Sequence, residues 1–277
     1  MENQHDPVAE HYKIDGLLNR VLATLRKTHG SLEHLTVTDL APVDSFHIRG
    51  RASTAELAKR AGISSRWQIL DVGSGPGGTA RYLAAAYGCH VTGLDLTAEY
   101  VSLAERLSEI VGLSQGTSFE CGNALSMPFE EDDFDCVWME HVQMNIADKS
   151  KLVLEIHRVL KAGGRLLMHE VFNGAAGEPH LPVPWSEDSS TSFMVTPEKM
   201  QQILLAQGFE VIEWRDVTDS ARKWFRSVQK RIAESGLQPV GIHLLMGSNA
   251  AEKMANVNRN LQEGRLKLIQ ALAKKPR

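Results

Sequence analysis

Apolar residues recur along this chain in two rhythms: short runs bounded by glycine, and longer stretches with apolar positions three and four apart. The first predicts buried strands and the second amphipathic helices. Ile14, Leu17, Leu18, Val21, Leu22 and Leu25 predict a helix over residues 8–28 that stops at Gly30. Residues 54–61 predict another, with Ser53 as cap and Gly62 as end. Between them, residues 31–48 are broken in pattern and read as loop with at most a turn of helix. Strand and helix then alternate. Strands are predicted at 69–72, 90–96, 118–121, 134–138 and 165–172, with helices at 79–87, 97–111 and 150–161. Tandem βα units imply a parallel sheet with right-handed crossovers. Further on, helices at 196–207, 219–234 and 250–264 enclose a strand at 209–214, and a last strand covers 265–274.

The first strand runs into a glycine-rich turn, Asp71-Val72-Gly73-Ser74-Gly75-Pro76-Gly77-Gly78. Such a turn lets a ligand lie against the backbone while the N–H groups that open the next helix point at it. Gly73, Gly75 and Gly78 satisfy the G-x-G-x-x-G spacing of a dinucleotide site, whereas Gly73, Gly75 and Gly77 satisfy the G-x-G-x-G spacing of an S-adenosylmethionine site. The neighbours decide. A carboxylate at Asp71 would repel a pyrophosphate but could orient an ammonium group. Asp95 ends the second strand about twenty residues on, where a βαβ unit brings an acid to the ribose of a bound nucleoside.

Asp71 to Gly77, Asp95, Cys121 to Phe129, Asp133 to Trp138 and Leu160 to Leu166 together resemble the motif series of class I S-adenosylmethionine-dependent methyltransferases. More narrowly, they are similar to the small-molecule branch that includes quinone-biosynthesis and sarcosine/dimethylglycine enzymes. The resemblance covers residues 65–172 and thins on either side. It implies an α/β, Rossmann-like doubly wound sheet of seven mostly parallel strands, the last antiparallel at the edge, under an N-terminal helical cap. The expected division is a cap over 1–64 and a cofactor-binding domain over 65–277. Substrate-side elements are expected at 173–195 and 219–264. S-adenosyl-L-methionine is the expected cofactor and S-adenosyl-L-homocysteine the product. Expected cofactor contacts are Asp71, Gly73, Ser74, Gly75 and Gly77 in the turn, Asp95 and Leu96 after the second strand, Asn123 and Ala124 after the third, and Glu140 after the fourth. Asn123 departs from the family's usual Asp; it keeps a carbonyl acceptor for an adenine amino group and loses the charge.

Ligands in open α/β sheets bind beyond the carboxyl ends of the strands, which makes His141 the first candidate general base and Glu140 the second. Gln143 and Met144 follow on the same segment. Residues 173–195 form a long aperiodic loop with Pro179, Pro182 and Pro184, read as a substrate wall lined by Trp185, Phe193 and Met194. His243 is expected to line the pocket from above. Residues 44–50 resemble a piece lying near the methionine end.

Composition narrows the alternatives. A net charge of −4 gives no overall field toward nucleic acid, and no Asn/Asp-Pro-Pro-aromatic motif follows the fourth strand. No apolar run is long enough to span a membrane. His169-Glu170 lacks the second histidine of a zinc motif, and no metal is expected. Cys89, Cys121 and Cys136 are widely spaced and read as buried thiols of a reducing, cytoplasmic compartment. Basic residues around Trp224 and Phe225 read as a solvated helix face. The expected partner is a small-molecule substrate, with a homodimer compatible. The rival readings are an NAD(P)-dependent oxidoreductase, a nucleic-acid methyltransferase and a non-catalytic S-adenosylmethionine-binding protein.

Overall fold

The computed structural model describes residues 6–277. Four helices come first: α1 (Pro7–Tyr12), α2 (Leu17–His29), α3 (Val37–Asp44) and α4 (Arg51–Ala61). The alternating body follows as β1 (Gln68–Val72), α5 (Gly78–Tyr87), β2 (His90–Asp95), α6 (Ala98–Ile110), β3 (Thr117–Cys121), β4 (Phe134–Glu140), α7 (Lys149–Val159) and β5 (Leu160–Asn173). The chain closes with α8 (Pro197–Ala206), β6 (Glu210–Asp216), α9 (Thr218–Ser235), α10 (Ala250–Glu263) and β7 (Leu266–Lys274).

These strands form one sheet in the order β3-β2-β1-β4-β5-β7-β6. β1 pairs in parallel with β2 on one side and β4 on the other, while β7 is antiparallel to both β5 and β6. The order reverses between β1 and β4, so their following loops part and leave a crevice above the strand tips. Both faces of the sheet are covered. Leu70, Val72, Val137 and Met139 pack toward α7 and α8, whereas Ile69, Cys136 and Trp138 pack toward α4 and α5. That alternation along unbroken apolar strands is what a sheet buried on both sides requires.

Five expectations are corrected. The last strand is antiparallel but lies inside the sheet, between β5 and β6; its apolar run from Leu266 to Ala273 is almost wholly buried, as a central strand demands. The helix over 8–28 breaks at Gly16, whose φ is 68°. Residues 31–48 contain α3, nucleated by a capping box in which the Thr36 side chain and Asp39 satisfy each other's backbone N–H groups. Ser53 is not a cap: α4 starts two residues earlier, and its hydroxyl donates to the Gly50 carbonyl at 2.8 Å. Cys121 is exposed rather than buried; all three cysteines are free.

Candidate active site

The glycine turn leaves β1 with Gly73, Gly75 and Gly77 all at positive φ, 68°, 51° and 81°. The left-handed φ disfavours a side chain at all three, and contact excludes one at Gly73 and Gly77 as well. At Gly73 a Cβ would stand 2.5 Å from Val142, and at Gly77 it would meet Arg81 and the Phe119 ring at 2.8 Å. At Gly75 it would meet nothing, because that residue faces open space. That space is a cavity of about 380 Å³ above the strand tips. Its size lies within the range of small-molecule sites, about 300–1,000 Å³.

Of the residues expected to touch a cofactor, Asp71, Gly73, Ser74, Gly75, Asp95 and Leu96 line this cavity, and so do Asn123, Ala124 and Glu140. Gly77 does not; its role is packing beneath the turn. His141, Met144, Trp185 and Phe193 line the cavity as well. Gln143 is fully buried beneath it, its amide donating to the Val171 carbonyl. His243 also stays outside, and its neighbour Ile242 takes the wall instead. Met194 packs with Val171 and Trp185 behind the wall.

Carboxylates dominate one end. Asp95 accepts from the Gly75 N–H at 2.7 Å and the Thr97 N–H at 2.9 Å, so it ties the turn to β2. Asp71 accepts from the Ala80 N–H, yet its Oδ2 is buried with no partner. Burial first, then the charges of Glu140 and Asp95, push the Asp71 carboxyl well above the ordinary range. Burial likewise raises Asp95 and Glu140. Glu140 is not free to act as a base: Thr79 and Thr54 donate to it at 2.7 and 2.8 Å, and His47 Nε2 lies 3.4 Å away. Burial drives His47 down to about 4, so this last contact is polar and not an ion pair at neutral pH. Asn123 Oδ1 already accepts from the Leu125 N–H at 2.8 Å, which leaves one lone pair for a ligand.

His141 forms the corner after β4. Its φ of 58° is left-handed, a conformation costing a non-glycine residue about 1–3 kcal/mol. β5 holds the corner in place. The His141 N–H donates to the His169 carbonyl at 3.0 Å, the rings of the two stack at 5.3 Å, and the Glu170 carboxylate accepts from the Val142 N–H at 3.0 Å. His141 Nε2 is buried without a partner. Burial and the facing His169 and His47 rings hold its pKa well below 6.5, so the imidazole is neutral and a weaker base than its residue type suggests. Three histidines meet here, yet among the described residues no group of three His, Cys, Asp or Glu side chains is arranged to hold a metal ion.

Sequence reasoning missed His47, Thr54, Thr79 and Glu170. A signal existed for two of them: Thr79 follows the glycines directly, and His47 lies in the 44–50 segment. Thr54 and Glu170 carried none, since each acts across more than twenty-five residues of chain.

The helices close the cavity from above. Arg81 and Asp44, both fully buried at the side chain, pair at 3.2 Å, and Arg81 also donates to the Pro76 carbonyl. The C-terminus of α3 thus rests on the glycine turn. Tyr12 of α1 donates to Asn145 at 2.9 Å across the top.

Comparison with known proteins agrees with this geometry. Residues 70–168 match the family described as "Methyltransferase domain". A glycine/sarcosine/dimethylglycine N-methyltransferase of Actinopolyspora halophila is 28% identical over 184 residues, 64% of this chain and 32% of the relative, so the chain spans about a third of that protein's length. Phosphoethanolamine N-methyltransferase 2 of Haemonchus contortus, solved with S-adenosyl-L-methionine, superposes with a TM-score of 0.76 at 19% identity, over 100% of this chain and 62% of that one. The [4+2]-cyclase SpnF superposes at 0.67 with 24% identity over 94% and 95%. At these identities the superpositions establish a shared fold. The stretch that carries the glycine turn, both strand-tip carboxylates and the His141 corner is thus the stretch that matches the methyltransferase-domain family, residues 70–168.

Proposed function

We propose that this chain is an S-adenosyl-L-methionine-dependent methyltransferase that modifies O, N or C of a small organic acceptor. In this reading the 1–64 segment, of which residues 6–64 are described, supplies a helical cap and residues 65–277 the cofactor-binding domain, working in the cytoplasm. The observation that carries the proposal is the unpartnered Asp71 Oδ2 beside Asp95 and Glu140 in one cavity. Buried acids crowded together without a cation are costly, and a ligand with fixed positive charge relieves them. S-adenosyl-L-methionine fits that demand, carrying an ammonium and a sulfonium, and it supplies an electrophilic methyl group. A nicotinamide dinucleotide would set a pyrophosphate against Asp71.

The residues divide the work. Asp95 would hold the ribose, Asp71 the ammonium end, and Asn123 the adenine edge, while Glu140, held by Thr54 and Thr79, fixes the wall between them. His141 and Met144 face the reacting end. Because the His141 imidazole is neutral, it can orient an acceptor through Nε2 and take a proton only as one is released. Positioning in a cavity sheltered by the capping helices does most of the catalysis.

A second reading has support from the cyclase of the same fold: a protein of this architecture need not transfer a methyl group. Two measurements test the proposal together. Calorimetry should show S-adenosylhomocysteine binding and NADH not binding, and incubation of cell extract with methyl-labelled cofactor should yield a labelled small molecule. Binding without any label transferred would favour the second reading; NADH binding would overturn both.

A further inference from the structure

The cavity has two chemically different ends. Toward β1, β2 and β3 it is lined by Asp71, Asp95 and Asn123; toward β5 and β7 it is lined by Trp185, Phe193, Trp224, Met254 and Val257. His141, at the tip of β4, stands between the two ends because β4 lies between β1 and β5 in the sheet. The second end is built from three separate elements: the loop after β5 supplies Trp185, α9 supplies Trp224, and α10 supplies Met254 and Val257. Trp185 and Val257 are almost completely buried, and together with Phe225 and Val171 they belong to one apolar cluster.

Charge is as informative as shape. No Lys or Arg lines this cavity among the described residues, whereas Asp6, Asp44, Asp71, Asp95 and Glu140 do. Buried Lys149, Arg81 and Lys253 are already committed. Lys149 donates to the carbonyls of Gln143 and Phe193 at 2.5 and 2.7 Å, and Arg81 is paired with Asp44. Lys253 is bound to Glu187 at 2.5 Å, outside the main cavity. A phosphate or carboxylate brought into the apolar end would lose its hydration with no cation to replace it, and would face an acidic wall.

Resting on the methyl-transfer reading above, we propose that the acceptor carries no negative charge and presents a broad apolar face, aromatic or polycyclic, to the subsite of Trp185, Trp224, Phe193 and Met254, with its nucleophilic atom turned toward His141. The apolar face supplies the affinity, and the neutral imidazole sets which atom is presented. Phe193, 36% exposed, stands at the rim, where a bulky acceptor enters.

The test uses a matched pair of probes, 1-naphthol and 1-naphthyl phosphate, titrated into the full-length protein saturated with S-adenosylhomocysteine and read by calorimetry and tryptophan fluorescence. Naphthol should bind at least about tenfold more tightly, the discrimination expected when a charged group is left unpaired in a buried site. Trp224→Ala should weaken naphthol about five- to tenfold, in line with the loss of one buried aromatic contact. Met254→Lys should shift the preference toward the phosphate by at least about tenfold by supplying the missing cation. Naphthyl phosphate binding as tightly as naphthol, or naphthol not binding at all, would overturn the substrate class and leave methyl transfer standing. A failure of S-adenosylhomocysteine to bind would strike at the methyl-transfer reading itself; the same probe pair, titrated into the unliganded protein, would still decide the charge preference of the subsite.

Discussion

Asp71 and Asp95 end neighbouring strands, yet their situations differ. Asp95 is satisfied by two backbone N–H groups and still borders the cavity, while Asp71 keeps one oxygen buried and unpaired. Asp71→Asn removes the charge and keeps an acceptor for the Ala80 N–H. The free protein should therefore hold or raise its melting temperature, while affinity for S-adenosylmethionine falls about 10- to 150-fold, the worth of a charge-assisted hydrogen bond of about 1.5–3 kcal/mol. Affinity for S-adenosylhomocysteine, which keeps the same ammonium, should fall by a similar factor. Thermal scans and calorimetry check this; a lowered melting temperature with intact affinity would make Asp71 a structural residue. Asp95→Ala and His141→Ala should part company in another way. Losing Asp95 should weaken cofactor binding far more than losing His141, whereas His141→Ala should lower turnover with cofactor affinity kept. Equal, minor effects from both would defeat the assignment.

At the level of the element, the strand-turn-helix unit from β1 to α5 separates glycines that pack from a glycine that faces ligand. Gly75→Ala places its methyl in open space at a φ of 51°, so it should cost about 1–2 kcal/mol of stability and also obstruct the ligand. Gly78→Ala drives a Cβ to 2.0 Å from the Asp44 carbonyl oxygen, a backbone atom that cannot swing aside, and should dislodge α3 from α5. Urea unfolding should rank Gly78→Ala as the more destabilised, with Gly75→Ala folded but poor at binding; the reverse order would mean that the turn does not face the ligand. This unit was also the most legible in the sequence, because apolar alternation and glycine spacing are local. So were the parallel strands on either side of it. The place of β7 was not legible, since a buried apolar run does not say which two strands flank it. The short helix α3 was hidden because Pro42 suggested a break, although Thr36 and Asp39 were in place to cap it. Gln143 looked like a pocket residue by its position after His141; a tight 3-10 turn over Gln143–Asn145 rotates it inward, where the backbone of β5 takes its amide. Contacts such as Thr54 on Glu140 depend on tertiary packing of α4, and no local pattern announces them.

Across the whole molecule, the buried ionisable groups of the site and its supports set how stability responds to pH. His47 and His169 are held near 4 by burial, below the 6.5 of an exposed imidazole. Between pH 4 and 6.5 the unfolded chain binds protons that the folded one refuses, so stability is lost as pH falls through that window. Glu170 runs the other way. Burial raises it from 4.5 to about 8 despite the Val142 and Gln143 N–H groups that favour its charge. The folded state therefore holds a proton that the unfolded state has released, and this contribution, complete below pH 4.5, is lost as pH rises toward 8. Asp71 adds to it in the same direction. Below pH 6.5 the two groups oppose each other; from 6.5 to 8 only the acids act. The free protein should thus be measurably less stable at pH 8 than at pH 6.5, which urea midpoints at those two values would show. Binding should follow the opposite trend, because ionising the strand-tip acids sharpens their attraction for a cation. Affinity for S-adenosylmethionine and S-adenosylhomocysteine alike, which share the ammonium that Asp71 would hold, should rise with pH as Asp71 ionises. Affinity that stays flat while the urea midpoint falls would mean that the acids destabilising the free fold are not the ones that meet the ammonium.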